Sequence, residues 1–224
     1  KILSPCVQLG STSLPTTTMA ALQLLSFLNL VLINIRGAVG NESQLAEAVA
    51  DLEWKPDIIL LTETKMGPGD TVNIPGYTCW SQPDPKKTGG TAFLIHDRLL
   101  AVCTPTSPPS SEEPSTGHTQ WIRILNKKKP MFISLSYISP NDLPNYIQTM
   151  DALTEAGITM STIGTCIHTG DFNNHEAKHN ALFNKMVKTL NLEDMHNPIC
   201  TLKDEHWTFN GPMGRSCPDH ILLP

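Results

Sequence analysis

Apolar residues in this chain gather in short blocks rather than in long helical stripes, a pattern that predicts strands. Residues 29–35 (NLVLINI) and 57–63 (DIILLTE) are near-continuous apolar runs that meet polar groups at their far ends. Residues 78–81 and 90–96 read as two further strands around a polar turn at 84–89. Residues 121–125 and 131–137 flank Asn126-Lys127-Lys128-Lys129-Pro130 and predict a hairpin, and residues 161–169 lead as a strand into Gly170-Asp171-Phe172-Asn173. Helical spacing appears in three places. Leu45, Ala46, Val49 and Leu52 mark a helix over 41–52 with Ser43 as its N-cap, and residues 143–157 and 180–190 predict two others. Single strands and hairpins interspersed with a few helices point to two packed sheets with helices outside.

Two segments fall outside that pattern. Residues 1–28 read as a poorly ordered lead-in, ahead of a single domain over 29–224. Residues 104–119 (TPTSPPSSEEPSTGHT) are so rich in Pro, Ser and Thr that they predict a flexible surface loop.

Composition narrows the classes. A chain of 224 residues with 40% hydrophobic content has enough apolar material for one sizeable core. The net charge of −5 excludes a protein that grips nucleic acid by overall charge. Any such contact is local, and Lys86-Lys87 and Lys127-Lys128-Lys129 are the dense basic spots, whose plainer reading is solvated turn lysines. Six cysteines without a CxxC pair suggest a reducing compartment, nuclear or cytoplasmic. Residues 21–35 are too short an apolar stretch to span a bilayer, so no membrane partner is expected. Met19 could open a signal peptide, but no basic segment precedes the apolar stretch. Lys1 is not an initiator methionine, and the chain reads as a fragment of something longer.

Chemistry concentrates where the strands end. Glu63 closes an apolar strand, where an unpaired buried carboxylate would be costly. A hard divalent cation would relieve that cost, and so, more simply, would an ion pair with Lys65. Asp171 and Asn173 alternate at a strand end, so an acceptor and an amide share one face with Phe172 opposite. That pair could orient a water and hold a phosphate oxygen, or merely form an Asx turn. His175-Glu176-Ala177-Lys178-His179 satisfies the zinc-peptidase pattern HExxH. Lys178 between the two ligands, and a start just after a strand end, argue against zinc. In Asp219-His220, strand alternation sends Asp219 toward the cleft and His220 away from it.

The order of these motifs resembles the endonuclease/exonuclease/phosphatase superfamily, the fold of DNase I and of the apurinic endonucleases. Within it, the chain is most similar to the endonuclease domain of non-LTR (LINE-type) retrotransposons. The resemblance runs from Asn34-Ile35-Arg36-Gly37 through the run ending Leu61-Thr62-Glu63-Thr64-Lys65. It continues in Gly89-Gly90-Thr91-Ala92-Phe93-Leu94-Ile95, Ser136-Tyr137-Ile138-Ser139-Pro140, Gly170-Asp171-Phe172-Asn173, Trp207-Thr208-Phe209 and Asp219-His220-Ile221-Leu222.

This resemblance implies a four-layer α/β sandwich of two mostly antiparallel sheets with flanking helices. It implies Mg²⁺ (or Mn²⁺) held chiefly by Glu63 with Asn34 beside it. Tyr137 would contact the scissile phosphate, and Asp171 would orient or deprotonate the attacking water. Asn173 would stabilise the phosphate oxygens, Thr208 would touch phosphate, and Asp219 would orient a catalytic histidine. In the family pattern that histidine lies in a Ser-Asp-His segment some two dozen residues further on, beyond Pro224. The implied activity is nicking of target DNA for target-primed reverse transcription, weak or absent in the chain as it stands. The implied partners are DNA and a reverse transcriptase domain of a parent polyprotein. A non-catalytic retroelement remnant, and an apurinic endonuclease or phosphoester hydrolase of the same superfamily, stand as alternatives.

Overall fold

A computed structural model describes residues 7–8, 28–84, 86–108, 119–126, 128–195, 209–211, 214–216 and 218–224. The first sheet has the order β1 (Val7–Gln8), β2 (Asn29–Asn34), β3 (Ile58–Thr62), β5 (Thr91–His96) and β4 (Tyr77–Gln82). The second has the order β10 (Glu193–Asp194), β13 (Asp219–Leu223), β9 (Thr165–Asp171), β8 (Met131–Tyr137), β7 (Thr119–Ile124) and β6 (Cys103–Thr106). Only β2 with β3 and β8 with β9 run parallel; the other pairs within these sheets are antiparallel. β11 (Phe209–Gly211) and β12 (Gly214–Ser216) form a separate hairpin.

Strand alternation sorts the apolar residues into layers. Leu30, Leu32, Ile58, Leu60, Phe93 and Ile95 of the first sheet face Ile122, Ile124, Ile133, Leu135, Ile167 and Ile221 of the second. Their alternate neighbours Val31, Ile33, Ile59 and Leu61 turn outward against Leu45 and Val49 of α1 (Glu42–Ala50). On the far side Phe132, Cys166 and Leu222 pack against two helices, α2 (Leu143–Ile163) and α3 (Ala177–Thr189). The result is the four-layer α/β sandwich expected from the motifs. Each buried Leu, Ile or Phe contributes roughly 1.5–3 kcal/mol, so the twelve facing side chains alone dominate the core.

Several local expectations are corrected. The segment 104–119 is not a loop throughout. Cys103–Thr106 pairs with β7, which begins at Thr119; Pro105 sits on this edge strand, where a missing donor is tolerated. Residues 109–118 lie outside the described residues. α1 starts at Glu42, with Asn41 rather than Ser43 at the cap, and the Asn41 amide donates to Gly37 O at 2.7 Å. α2 runs on to Ile163, six residues past Gly157, so residues 161–163 are helix and not strand. The unbroken apolar spacing through Met160 carries it there, and Gly164 ends it under Phe132 and Pro130, where a Cβ would clash. Val7–Gln8, inside the expected lead-in, pairs with β2. Among the described residues no helix is long and apolar enough to cross a membrane.

Candidate active site

At one end of the two sheets, β2, β3, β8, β9 and β13 reach their polar termini together. The Asn34 amide nitrogen donates to Glu63 Oε1 at 2.9 Å and to Asp171 Oδ2 at 2.8 Å, joining the two sheets. Both of its N–H groups are thereby used, and its carbonyl oxygen accepts from Arg36 N at 3.2 Å. Glu63 also lies 3.8 Å from Lys65 Nζ, so the ion pair and the convergence on Asp171 coexist. Tyr137 and Asp219 are the direct neighbours of Asp171 in the parallel and antiparallel pairings on either side of it. Asn173 follows, its backbone N–H donating to Asp171 Oδ1 at 3.1 Å and its side-chain amide to Ile138 O at 3.1 Å. Asn34, Glu63, Tyr137, Asp171, Asn173 and Asp219 are thus gathered at one place. Thr208 lies outside the described residues.

Close approach makes the arrangement possible. A Cβ on Gly170 would stand 2.0 Å from Ser136 O, so only glycine lets β9 lie against β8 with Tyr137 beside Asp171. The rim is built from non-glycine residues in the left-handed region: Arg36 at φ 52°, Glu63 at 49°, Lys65 at 52° and Asn173 at 44°. Such conformations are uncommon away from glycine and cluster at functional sites.

The electrostatics follow from the crowding. Asp171 and Asp219 are buried, whereas Asn34, Glu63, Tyr137 and Asn173 are half-buried. Burial first, and then the charges of Asp219 and Glu63, hold the Asp171 carboxyl well above the usual carboxylate range. The hydrogen bonds from Asn173 N and the Asn34 amide pull the other way and do not win. Burial likewise raises the Tyr137 phenol, helped by Glu63, Asp171 and Asp84, so it stays a hydrogen-bond donor.

Asp84 is a residue that sequence reasoning passed over as part of a polar turn. It is buried, which pushes its carboxyl up. Bonds from Lys86 N, Thr88 Oγ1, Thr88 N and Gly89 N outweigh that and leave it lowered to about 2. Its Asp-x-x-x-Thr-Gly spacing was the available signal, because a carboxylate ahead of such a turn finds several backbone donors.

A divalent cation fits the chemistry of this donor set. Among the described residues Glu63, Asp171 and Asp219 converge with the Lys65 ammonium 3.8 Å from Glu63, and the charges of Asp219 and Glu63 add to burial in raising the Asp171 carboxyl. Among the described residues no three His, Cys, Asp or Glu side chains could together hold one ion. A hard ion needs only one or two carboxylates and its own waters, and Glu63 offers one; Asn34 presents its amide nitrogen to Glu63 and Asp171, so its oxygen would ligate only with the amide turned.

The HExxH motif does not form a helical ligand pair. α3 begins at Ala177, leaving His175 exposed on the preceding turn. His179 is buried and stacked on Tyr146, with ring centroids 4.0 Å apart.

The model of the endonuclease/exonuclease/phosphatase family matches residues 31–221. The chain belongs to that family. Among solved structures, it resembles D. rerio TDP2 humanized by 14 mutations, with a TM-score of 0.57 and 13% identity over 88% of this chain and 82% of that one. It resembles equally D. rerio TDP2 complexed with a single-strand DNA product, with a TM-score of 0.56 and 12% identity over 88% and 83%. The endonuclease domain of TRAS1, a telomere-specific non-LTR retrotransposon, matches with a TM-score of 0.56 and 13% identity over 87% and 83%. At these identities the likeness is one of fold. No curated protein matches the chain in sequence.

Proposed function

We propose that this chain is a metal-dependent DNA endonuclease domain that nicks a target strand to leave a 3′-hydroxyl for priming reverse transcription. The observation that carries the reading is the Asn34 amide, which draws Glu63 and Asp171 from opposite sheets onto one nitrogen beside Asp219. Mg²⁺ or Mn²⁺, held by Glu63 with Asn34 beside it, would offset charge on the phosphate and the leaving oxygen. The chain's own groups do the rest. Asp171, held by the Asn34 amide and the Asn173 backbone N–H, would orient or deprotonate the attacking water. The Tyr137 phenol and the Asn173 amide would donate to the phosphate oxygens as they develop charge. Asp219 would orient a histidine supplied as in the family pattern. DNA is the substrate, a reverse transcriptase domain of the same polyprotein the partner, and a nuclear or cytoplasmic location follows from that role.

The test is plasmid nicking with Mg²⁺, by this chain and by one extended with a Ser-Asp-His tail. Nicking should be stronger in the extended chain and should fall about 10²–10⁴-fold in Glu63→Ala and Asp171→Asn. Nicking that survives Glu63→Ala would overturn the assignment. Cleavage confined to abasic duplexes would favour the apurinic reading, and folded protein inactive in both forms would favour the remnant.

A further inference from the structure

His220 lies on the opposite face of β13 from Asp219, as strand alternation requires. It is buried there, with its ring centroid 4.5 Å from that of Phe183 and 6.0 Å from that of Phe172. Nothing in the chemistry above uses it, yet both of its nitrogens are engaged. Nδ1 lies 2.7 Å from Asp194 Oδ2 and Nε2 lies 3.2 Å from the Asn174 side-chain amide; a neutral ring donates Nδ1–H to the carboxylate and accepts at Nε2 with that amide turned nitrogen-first. One imidazole therefore ties three elements together: β13, the two-residue edge strand β10, and the turn between β9 and α3. Two of these carry site residues, since Asp219 precedes His220 and Asn173 precedes Asn174.

The turn needs a hold. Asn173 sits at φ 44°, a conformation that an unrestrained asparagine leaves readily. Its own bonds reach Ile138 and Asp171 on the cleft side. The bond from His220 to the next residue holds the same turn from the helix side, in an apolar setting where a hydrogen bond is stronger than in water.

We propose that His220 is a positioning residue for the site. Through Asn174 it fixes the turn that presents Asn173, and through Asp194 it anchors the strand that presents Asp219. The purpose rests on the nuclease reading above; the mechanical link does not.

Two substitutions separate the arms. An asparagine amide nitrogen stands near where Nδ1 stood and can still serve Asp194. The glutamine amide head stands near where Nε2 stood and can still bond the Asn174 amide. His220→Asn should speed hydrogen exchange of the Asn173 amide about tenfold, the effect of losing one buried hydrogen bond. It should lower kcat for plasmid nicking by a similar factor with KM within about twofold. His220→Gln should restore both toward the wild type even where its melting temperature is lower, because Asp194 has lost its bond to His220. Calorimetric Mn²⁺ affinity should be alike in all three, since Glu63 and Asn34 belong to the other sheet. Exchange and kcat that follow melting temperature alike in both variants would overturn the proposal, as would an Asn173 amide indifferent to His220→Asn. A wild-type protein that neither binds Mn²⁺ nor nicks DNA would overturn the nuclease reading instead, while the exchange comparison would still decide whether His220 holds the turn.

Discussion

Strand β3 carries a carboxylate at each end, and the two ends are treated in opposite ways. Asp57, just before it, is fully buried and fully answered. Arg98 Nε donates to Asp57 Oδ1 at 2.6 Å and its Nη2 closes on the same oxygen, while Asn29 N donates to Oδ2 at 2.9 Å. Glu63, just after it, joins Asp171 and Asp219 in a cluster with one amide between sheets and one lysine at 3.8 Å. The same sandwich thus closes one edge with a charge-balanced clamp and, among the described residues, gathers like charges at the other. A balanced pair serves stability once its desolvation is met. A cluster of like charges opposes stability, and such clusters are found where a site is built for chemistry.

The largest effect should come from breaking the clamp. Arg98→Ala leaves Asp57 buried without its cation and should cost about 3–5 kcal/mol in urea unfolding. A loss under 1 kcal/mol would show that the two ends are not so different.

Next comes Asp84, a balanced carboxylate near the unbalanced end. Its lowered carboxyl stabilises the fold above the usual carboxylate range, and that contribution is lost as pH falls from about 4 toward about 2. Asp84→Ala should cost about 2 kcal/mol at pH 7 and flatten the acid limb of stability. An unchanged acid limb would mean that the turn forms without it.

Asp171 should show the reverse sign. Its folded-state carboxyl is raised, so the folded protein holds a proton that the unfolded chain has released. The contribution is fully present below about pH 4 and is lost as pH rises through the raised value. Asp171→Asn should remove that decline, so that stability changes less between acid and neutral pH than in the wild type, and Mg²⁺ should offset part of the decline in the wild type. Stability that rises with pH because of Asp171 would break the comparison.

The smallest effect should lie outside both clusters. His175→Ala, on an exposed turn, should shift stability by less than about 0.5 kcal/mol, whereas His179→Ala, which empties a ring stack on Tyr146, should cost about 2–4 kcal/mol. Equal effects would mean that the two histidines act together after all.

The strand ends were readable from sequence because a buried strand is an apolar run and its polar terminus stands out. That is how Asn34, Glu63 and Asp171 could be singled out one by one, and it is why β6 was missed. Cys103–Thr106 is an edge strand whose Pro105 and threonines carry little apolar signal, and only pairing with β7 makes it a strand. His220 shows the same division. Alternation alone sent it away from Asp219, but Asp194 and Asn174 come from elements distant in sequence, and no local pattern announces them.

The sequence by itself determined the central apolar strands, the alternation that sorts side chains to cleft or helix, and the motif order that marks the family. These depend on near neighbours and on burial, which composition and period report. Tertiary structure decided which strand ends meet. Asn34 and Asp171 are 137 positions apart, and they touch because β2 and β9 belong to different sheets packed face to face. The like charges gathered there, and the bond that holds the Asn173 turn from behind, follow from that packing, because Coulomb and hydrogen-bond energies depend on distance in space rather than along the chain.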